Sequence, residues 1–243
     1  MIYKCTVSYD GSNYAGWQKQ INALGIQEII EKALTKINKS KIEIAASGRT
    51  DAKVHALGQV FHFDSVVNMP CDNYKNAINA LLPHDIRIIK VEKESDDFHA
   101  RFSAKSKRYD YVCSFDKDNP FLYKYVEFVP KSLDIKLMKE ASKFLLGTHD
   151  FTSFSSSHID ERKPRIKTIT DIEFRMEENG FRIVFKGTGF LRYQIRMMVA
   201  TLLEVGKHKI SCETVKEILD KKDKMACRYN ANAAGLYLVE VVY

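Results

Sequence analysis

A chain of 243 residues with 45% apolar and 28% charged side chains can bury its own core without a metal or disulfide staple, and is too apolar for wholesale disorder. No apolar run approaches the roughly 18–20 residues that span a bilayer, and five scattered cysteines (Cys5, Cys71, Cys113, Cys212, Cys227) without a Cys-x-x-Cys pair write neither a zinc ribbon nor a redox motif. The net charge of +7 is uneven: residues 1–103 hold 13 Lys and Arg against 12 Asp and Glu, and residues 104–243 hold 25 against 19, so the second half suits a polyanion such as nucleic acid.

Ile2–Ser8 reads as a strand, closed by the turn signal Tyr9-Asp-Gly-Ser-Asn. The same start lacks the features of a signal peptide, and isolated cysteines fit a reducing cytoplasm. Ile26, Ile29, Ile30, Ala33, Leu34 and Ile37 recur at helical spacing. Short strands follow at Ile42–Ala46 and Gly58–Phe63, then a helix over Asp72–Leu82 that stops at Pro83, then a strand at Ile86–Val91. This β-α-β-β-α-β order is the split βαβ, or ferredoxin-like, arrangement.

The scheme repeats loosely with a strand at Tyr109–Phe115, a helix at Leu133–Leu145 and a hairpin of Ile166–Met176 with Phe181–Lys186. A long helix at Phe190–Val205, a shorter one at Cys212–Asp220 and a closing strand at Gly235–Val242 complete it. The expected fold is therefore α+β, two ferredoxin-like halves with sheets joined around a central RNA-binding cleft. The halves are residues 1–103 and 104–243, with a loop-rich stretch at Ser153–Arg165.

The stretch with the most chemistry is Ser47-Gly-Arg-Thr-Asp-Ala-Lys-Val-His-Ala56. It sets Asp51 two residues from Arg49 within a turn of small side chains, where a ligand can approach the backbone. An Asx-turn is the competing structural use of Asp51. Arg192 and Arg196 fall four apart on the expected long helix, a like-charge spacing that destabilises an isolated helix by ~0.2–0.5 kcal/mol. Either an anion lies opposite them or they are solvated. Basic and aromatic residues interleave in Ala104-Lys-Ser-Lys-Arg-Tyr-Asp-Tyr111, where Lys107, Tyr109 and Tyr111 share a strand face. They suit either phosphate contact and base stacking or, for the tyrosines, the core. Arg162-Lys-Pro-Arg-Ile-Lys167 is a second basic cluster. His55, His62, His99, His149 and His158 are scattered, so no metal site is expected.

At Gly48-Arg-Thr-Asp-Ala-x-Val-His-Ala56 the chain resembles the TruA-type tRNA pseudouridine synthases. The likeness continues through Tyr9-Asp-Gly-x-x-Tyr-x-Gly-Trp-Gln-x-Gln20, Gly58-Gln-Val-x-His-Phe63, Asn79-x-Leu-Leu-Pro-x-Asp-Ile86 and Phe98-His-Ala-Arg-Phe-Ser-Ala104. Lys107-Arg-Tyr-x-Tyr111, Gly147-Thr-His-Asp-Phe151, Leu203-Glu-Val-Gly206 and Gly235-Leu-Tyr-Leu238 follow in order.

The resemblance implies isomerisation of uridine to pseudouridine in structured RNA, most typically the 3′ side of the tRNA anticodon stem-loop, without metal or cofactor. It assigns Asp51 as the essential catalytic group, nucleophile or base. Tyr109 becomes the tyrosine stacking on the base, Arg196 the partner of the aspartate, Leu236 the apolar neighbour of the target base, and Arg49 the residue that opens the RNA. It also implies a homodimer, with one RNA contacting both subunits. An Asp51–Arg196 pair would hold the carboxylate ionised.

Two departures stand out. Lys53 replaces the family's usual glycine, so this position does not require a conformation available only to glycine, and its amine is placed to reach a phosphate. Tyr193-Gln-Ile-Arg196 replaces the more usual Met-Val-Arg. With Arg49, Leu236, Lys107 and Arg192, Lys53 completes the expected RNA-contacting set. The rival readings are a non-catalytic RNA-binding protein on the same scaffold, a paralogue acting on ribosomal RNA, and a metal-dependent RNA hydrolase using Asp51 and His55.

Overall fold

The computed structural model describes residues 1–156 and 165–243. His158 and residues 162–164 of the second basic cluster lie outside the described residues. The first elements are β1 (Ile2–Tyr9), α1 (Ile26–Asn38), β2 (Ala45–Ala46), β3 (His55–Asp64), α2 (Cys71–Leu81) and β4 (Ile86–Glu94). They are followed by β5 (Ser106–Ser114), β6 (Glu127–Phe128), α3 (Ile135–Ser142), β7 (Gly147–Asp150), β8 (Ile166–Glu177), β9 (Gly180–Gly187), α4 (Gln194–Gly206), α5 (Cys212–Lys221) and β10 (Leu236–Val242). The chain divides into two compact units, Met1–Lys105 with Tyr237–Tyr243, and Ser106–Leu236.

In the first unit β1 pairs antiparallel with both β3 and β4, and β2 pairs antiparallel with β3. The order β4-β1-β3-β2 is the split βαβ sheet. Strict alternation along β1 buries Tyr3, Cys5, Val7 and Tyr9, the period expected where one sheet face is covered. That face meets the helices: Tyr3 packs its ring on Phe63 and on Tyr74 of α2, and Ile26, Ile30 and Leu34 of α1 are fully buried.

The closing strand departs from expectation. The sequence places it in the second half, whereas from Tyr237 onward it belongs to the first unit, where Tyr237 and Leu238 pair in parallel with His55 and Ala56. A parallel partner is chosen by long-range pairing, which local alternation does not reveal.

The second unit carries β6-β5-β9-β8-β7, with β6 parallel to β5 and the rest antiparallel. Strands β5, β9 and β8, with α3 and α4 as crossovers, reproduce the first, third and second strands of the same plan. One face of the sheet supplies the fully buried Tyr111, Phe181, Ile183 and Phe185. On the opposite face Asp110 is 1% exposed and held by both arms of Arg108, at 2.8 Å each, and by Arg182 at 3.2 Å. Such a fork satisfies a buried carboxylate that would otherwise be costly. The cysteines are unbridged, and burial pushes the thiols of Cys5, Cys113 and Cys227 up, so they behave as small apolar residues. No described helix is long and apolar enough to cross a membrane.

Candidate active site

Asp51 sits in the loop between β2 and β3, half-buried, with Arg49 and Lys53 exposed on either side. The loop is fastened from several directions. At its entry, Ser47 N–H donates to the Val60 carbonyl at 2.8 Å and Ser47 Oγ donates to Gln59 Oε1 at 2.7 Å. Gln59, fully buried, returns its amide N–H to the Gly48 carbonyl at 3.0 Å. Next to Asp51, the Tyr9 hydroxyl and Thr50 Oγ1 lie 2.8 Å apart. Burial raises the Tyr9 phenol above its ordinary range, so it is a neutral hydrogen-bonding partner rather than a base.

The segment 14–17 forms the bed beneath. Trp17 N–H donates to the Thr50 carbonyl at 3.1 Å, and Lys53 N–H donates to the Tyr14 carbonyl at 3.2 Å. Tyr14 is itself fixed by its hydroxyl, which donates to Asp85 Oδ1 at 2.7 Å. At the exit, His55 Nδ1 accepts from Gly11 N–H at 3.1 Å and lies 3.2 Å from Asp10 Oδ1, while its ring stacks on Tyr237 at 4.7 Å. His55, 2% exposed, is thus spent on positioning the loop.

The turn itself closes with Val54 N–H donating to the Asp51 carbonyl at 3.2 Å, and Lys53 stands at φ 65°. This is the left-handed region that favours glycine. The lysine occupies it, so the position is not restricted to glycine, yet the conformation is the one for which glycine is suited.

In the second unit Arg192 and Arg196 stand at the start of α4, and Arg196 is bonded to the segment that leads to Leu236. The expectation that Arg192 and Arg196 share a helix face is wrong. Tyr193 adopts φ 68° and α4 begins only at Gln194, so Arg192 precedes the helix. The two guanidinium groups instead approach the Tyr193 ring, at 4.9 and 5.1 Å from its centroid. An aromatic face, attractive to cations, answers the like-charge problem locally. Arg196 Nε donates to the Ala231 carbonyl at 2.8 Å, and Ala231 N–H returns a bond to the Arg196 carbonyl at 3.1 Å.

The Tyr111 hydroxyl donates to the Asn232 carbonyl at 2.8 Å, and Asn232 N–H donates to Glu127 Oε2 at 2.9 Å. The segment leading to the buried Leu236 is therefore pinned at both Ala231 and Asn232. Tyr111 is a core residue rather than a stacking platform. Tyr109, 8% exposed, meets Phe190 edge-to-face at 5.4 Å, and Lys107 lies half-buried two residues earlier on β5.

A family model described as tRNA pseudouridine synthase matches residues 6–103 and 141–243. The chain belongs to that family. Relatives from Oceanobacillus iheyensis, Exiguobacterium sp. and Streptococcus pneumoniae (strain Hungary19A-6), each named tRNA pseudouridine synthase A, are 44%, 43% and 41% identical over 99% of this chain and 96%, 97% and 98% of their own lengths. Among solved structures, a chain of a Cbf5-Nop10-Gar1 complex matches at 12% identity and a TM-score of 0.38, over 97% of this chain and 57% of that one.

The stretches that carry the resemblance to the synthase family now have physical roles in the first unit. Tyr9 to Trp17, Gln59 and the Asp85 turn are the fastenings of the Asp51 loop. Asn79 stabilises that turn's return strand by exchanging two hydrogen bonds with Ile88 backbone, at 2.8 and 2.9 Å. Sequence reasoning assigned none of these positioning roles. The available signal was their residue types: buried amide, hydroxyl and glycine in ordered blocks beside an acidic loop. Among the described residues no group of three or more His, Cys, Asp or Glu is gathered so as to hold a metal ion.

Proposed function

We propose that this protein isomerises uridine to pseudouridine in tRNA, on the 3′ side of the anticodon stem-loop, with Asp51 as the catalytic group and no metal or organic cofactor. Tyr109 stacks on the target base, Arg196 serves the reaction as its basic residue, and Leu236 packs near the base. Arg49, Lys53, Lys107 and Arg192 contact the RNA, and the enzyme acts as a cytoplasmic homodimer. The observation that carries the reading is the fastening of the Asp51 loop: a short stretch held at Ser47, Gly48, Thr50, Lys53 and His55, within a member of the tRNA pseudouridine synthase family. A reacting carboxylate needs a fixed position to act on a ribose, because misplacement by about 1 Å costs on the order of 100-fold in rate.

The direct test is tritium release from transcribed tRNA labelled with 5-tritiated uridine. The expected result is stoichiometric release from an anticodon stem-loop uridine, mapped by loss of that pseudouridine in a strain lacking the protein. Binding without release would leave only an RNA-binding scaffold, and release from a ribosomal RNA fragment but not tRNA would favour the paralogue.

Lys53 gives a test with two readouts of opposite sign. Lys53→Gly relieves the left-handed backbone, so stability is expected within about 1 kcal/mol of the parent and on the stabilising side. The same change removes one phosphate contact, which weakens tRNA binding and reduces the slope of log affinity against log salt by about 0.7–0.9. An unchanged salt slope would show that the lysine does not touch the RNA.

A further inference from the structure

The first unit holds an aromatic side chain whose exposure is at odds with the rigidity of its support. Phe102 is 77% exposed, in the turn that follows β4. The residues around it are fixed. Phe98 and Ala100, 9% and 0% exposed, pack on Val60 together with Ile2, Val241 and Tyr243. The Tyr243 hydroxyl donates to the Ala100 carbonyl at 2.7 Å, and Ala100 N–H donates to His62 Nδ1 at 3.2 Å. His99 and Ser103 exchange two bonds, at 3.1 and 2.9 Å, and Arg101 N–H donates to His99 Nδ1 at 3.1 Å. A turn tied this closely does not expose a phenyl ring for want of order.

What surrounds the ring is flat, with one guanidinium cation beside it. The His99 ring lies 4.3 Å from it, the Arg101 guanidinium lies 5.8 Å from its centroid, and His62 backs His99 at 4.7 Å. His62 and Val60 pair with Lys4 and Thr6 of β1, so by strand alternation they occupy the sheet face opposite the helices. The turn covers this face at Val60 and His62 and leaves Phe102 outward. An exposed aromatic ring is suited to stacking an unpaired nucleobase, and a guanidinium beside it favours a π-faced, anionic ligand. A second protein copy is a poorer match. Such an interface needs on the order of 800 Å² per partner with an apolar centre, whereas Phe102 is flanked by exposed Arg101 and, three residues on, exposed Lys105.

We propose that Phe102, supported by His99 and Arg101, is a stacking platform for an unpaired base of the RNA substrate. The proposal rests on the reading of this protein as a tRNA-modifying enzyme. The test compares the full-length parent with Phe102→Ala and Phe102→Trp, using filter binding to transcribed tRNA and single-turnover tritium release at saturating enzyme. Phe102→Ala is expected to weaken tRNA binding by about tenfold or more, to leave the saturated rate within about twofold, and to keep the parent's melting temperature. Phe102→Trp restores binding.

Unchanged affinity in Phe102→Ala would overturn the platform, as would a shift in sedimentation showing that the ring is covered by a second copy. A parent that binds tRNA but releases no tritium would defeat the enzymatic reading alone, because the platform is judged on the binding arm.

Discussion

Asp51→Asn is expected to retain fold and tRNA binding while single-turnover tritium release falls by at least ~10²-fold. Asparagine keeps the shape of the side chain, removes its charge and basicity, and puts an amide donor in place of one carboxylate oxygen. The fastenings of the loop run through Ser47, Gly48, Thr50, Lys53 and His55, so a substitution of the same shape at a half-buried position leaves them in place. Thermal melts are expected to show a cooperatively folded variant whose stability changes by no more than an ordinary point substitution, about 0.5–3 kcal/mol. The size of the loss also separates the two chemical roles of the carboxylate. A general base contributes roughly 10²–10⁴ in rate, whereas removing a covalent nucleophile costs on the order of 10⁶. A variant with intact binding and a rate within tenfold of the parent would remove Asp51 from the mechanism.

The first unit was largely legible because its periodicities are clean. Alternation along β1 sends every second residue into the core, and α2 ends two residues before Pro83, which the sequence marks as a breaker. What was not legible depends on partners distant in sequence. Strand β7 is Gly-Thr-His-Asp, with no apolar residue to set a period, and exists through its ladder with β8. The start of α4 was misplaced because nothing in the sequence marks Tyr193 for a left-handed backbone, and the apolar spacing runs on across it.

The site shows the same division. Residue types alone brought Asp51 and Arg49 to attention. The hydroxyl that steadies the loop comes from Tyr9, 41 positions from Thr50, and such a contact is invisible to any local pattern. Lys53 marks the limit most sharply, since a lysine gives no sign of φ 65°; only the glycine usual at that position in the family hints at it.

Gly16→Ala is expected to lower both the stability of the first unit and the rate of the reaction. Gly16 stands at φ 95°, and a Cβ built there falls 2.6 Å from the Thr50 carbonyl oxygen, 3.0 Å from the Asp51 carbonyl carbon and 3.1 Å from the Ala52 nitrogen. All three are backbone atoms of the catalytic loop, so no side chain can swing aside to make room. The left-handed conformation alone costs an alanine about 1–2 kcal/mol, and displacing fastened backbone brings the expected loss to roughly 2–4 kcal/mol.

The strain also has a direction. Gly16 is itself tied by Ile26 N–H donating to its carbonyl at 3.1 Å, at the first residue of α1, so part of the strain falls on the Asp51 loop. A displacement near 1 Å is expected to lower the saturated single-turnover rate about 100-fold. Gly189→Ala, where a Cβ meets nothing within 4 Å, is the matched control and is expected to behave as the parent. Stopped or quenched tritium-release kinetics alongside thermal melts check both. A Gly16→Ala enzyme with the parent's rate would mean that the placement of the loop does not govern the chemistry.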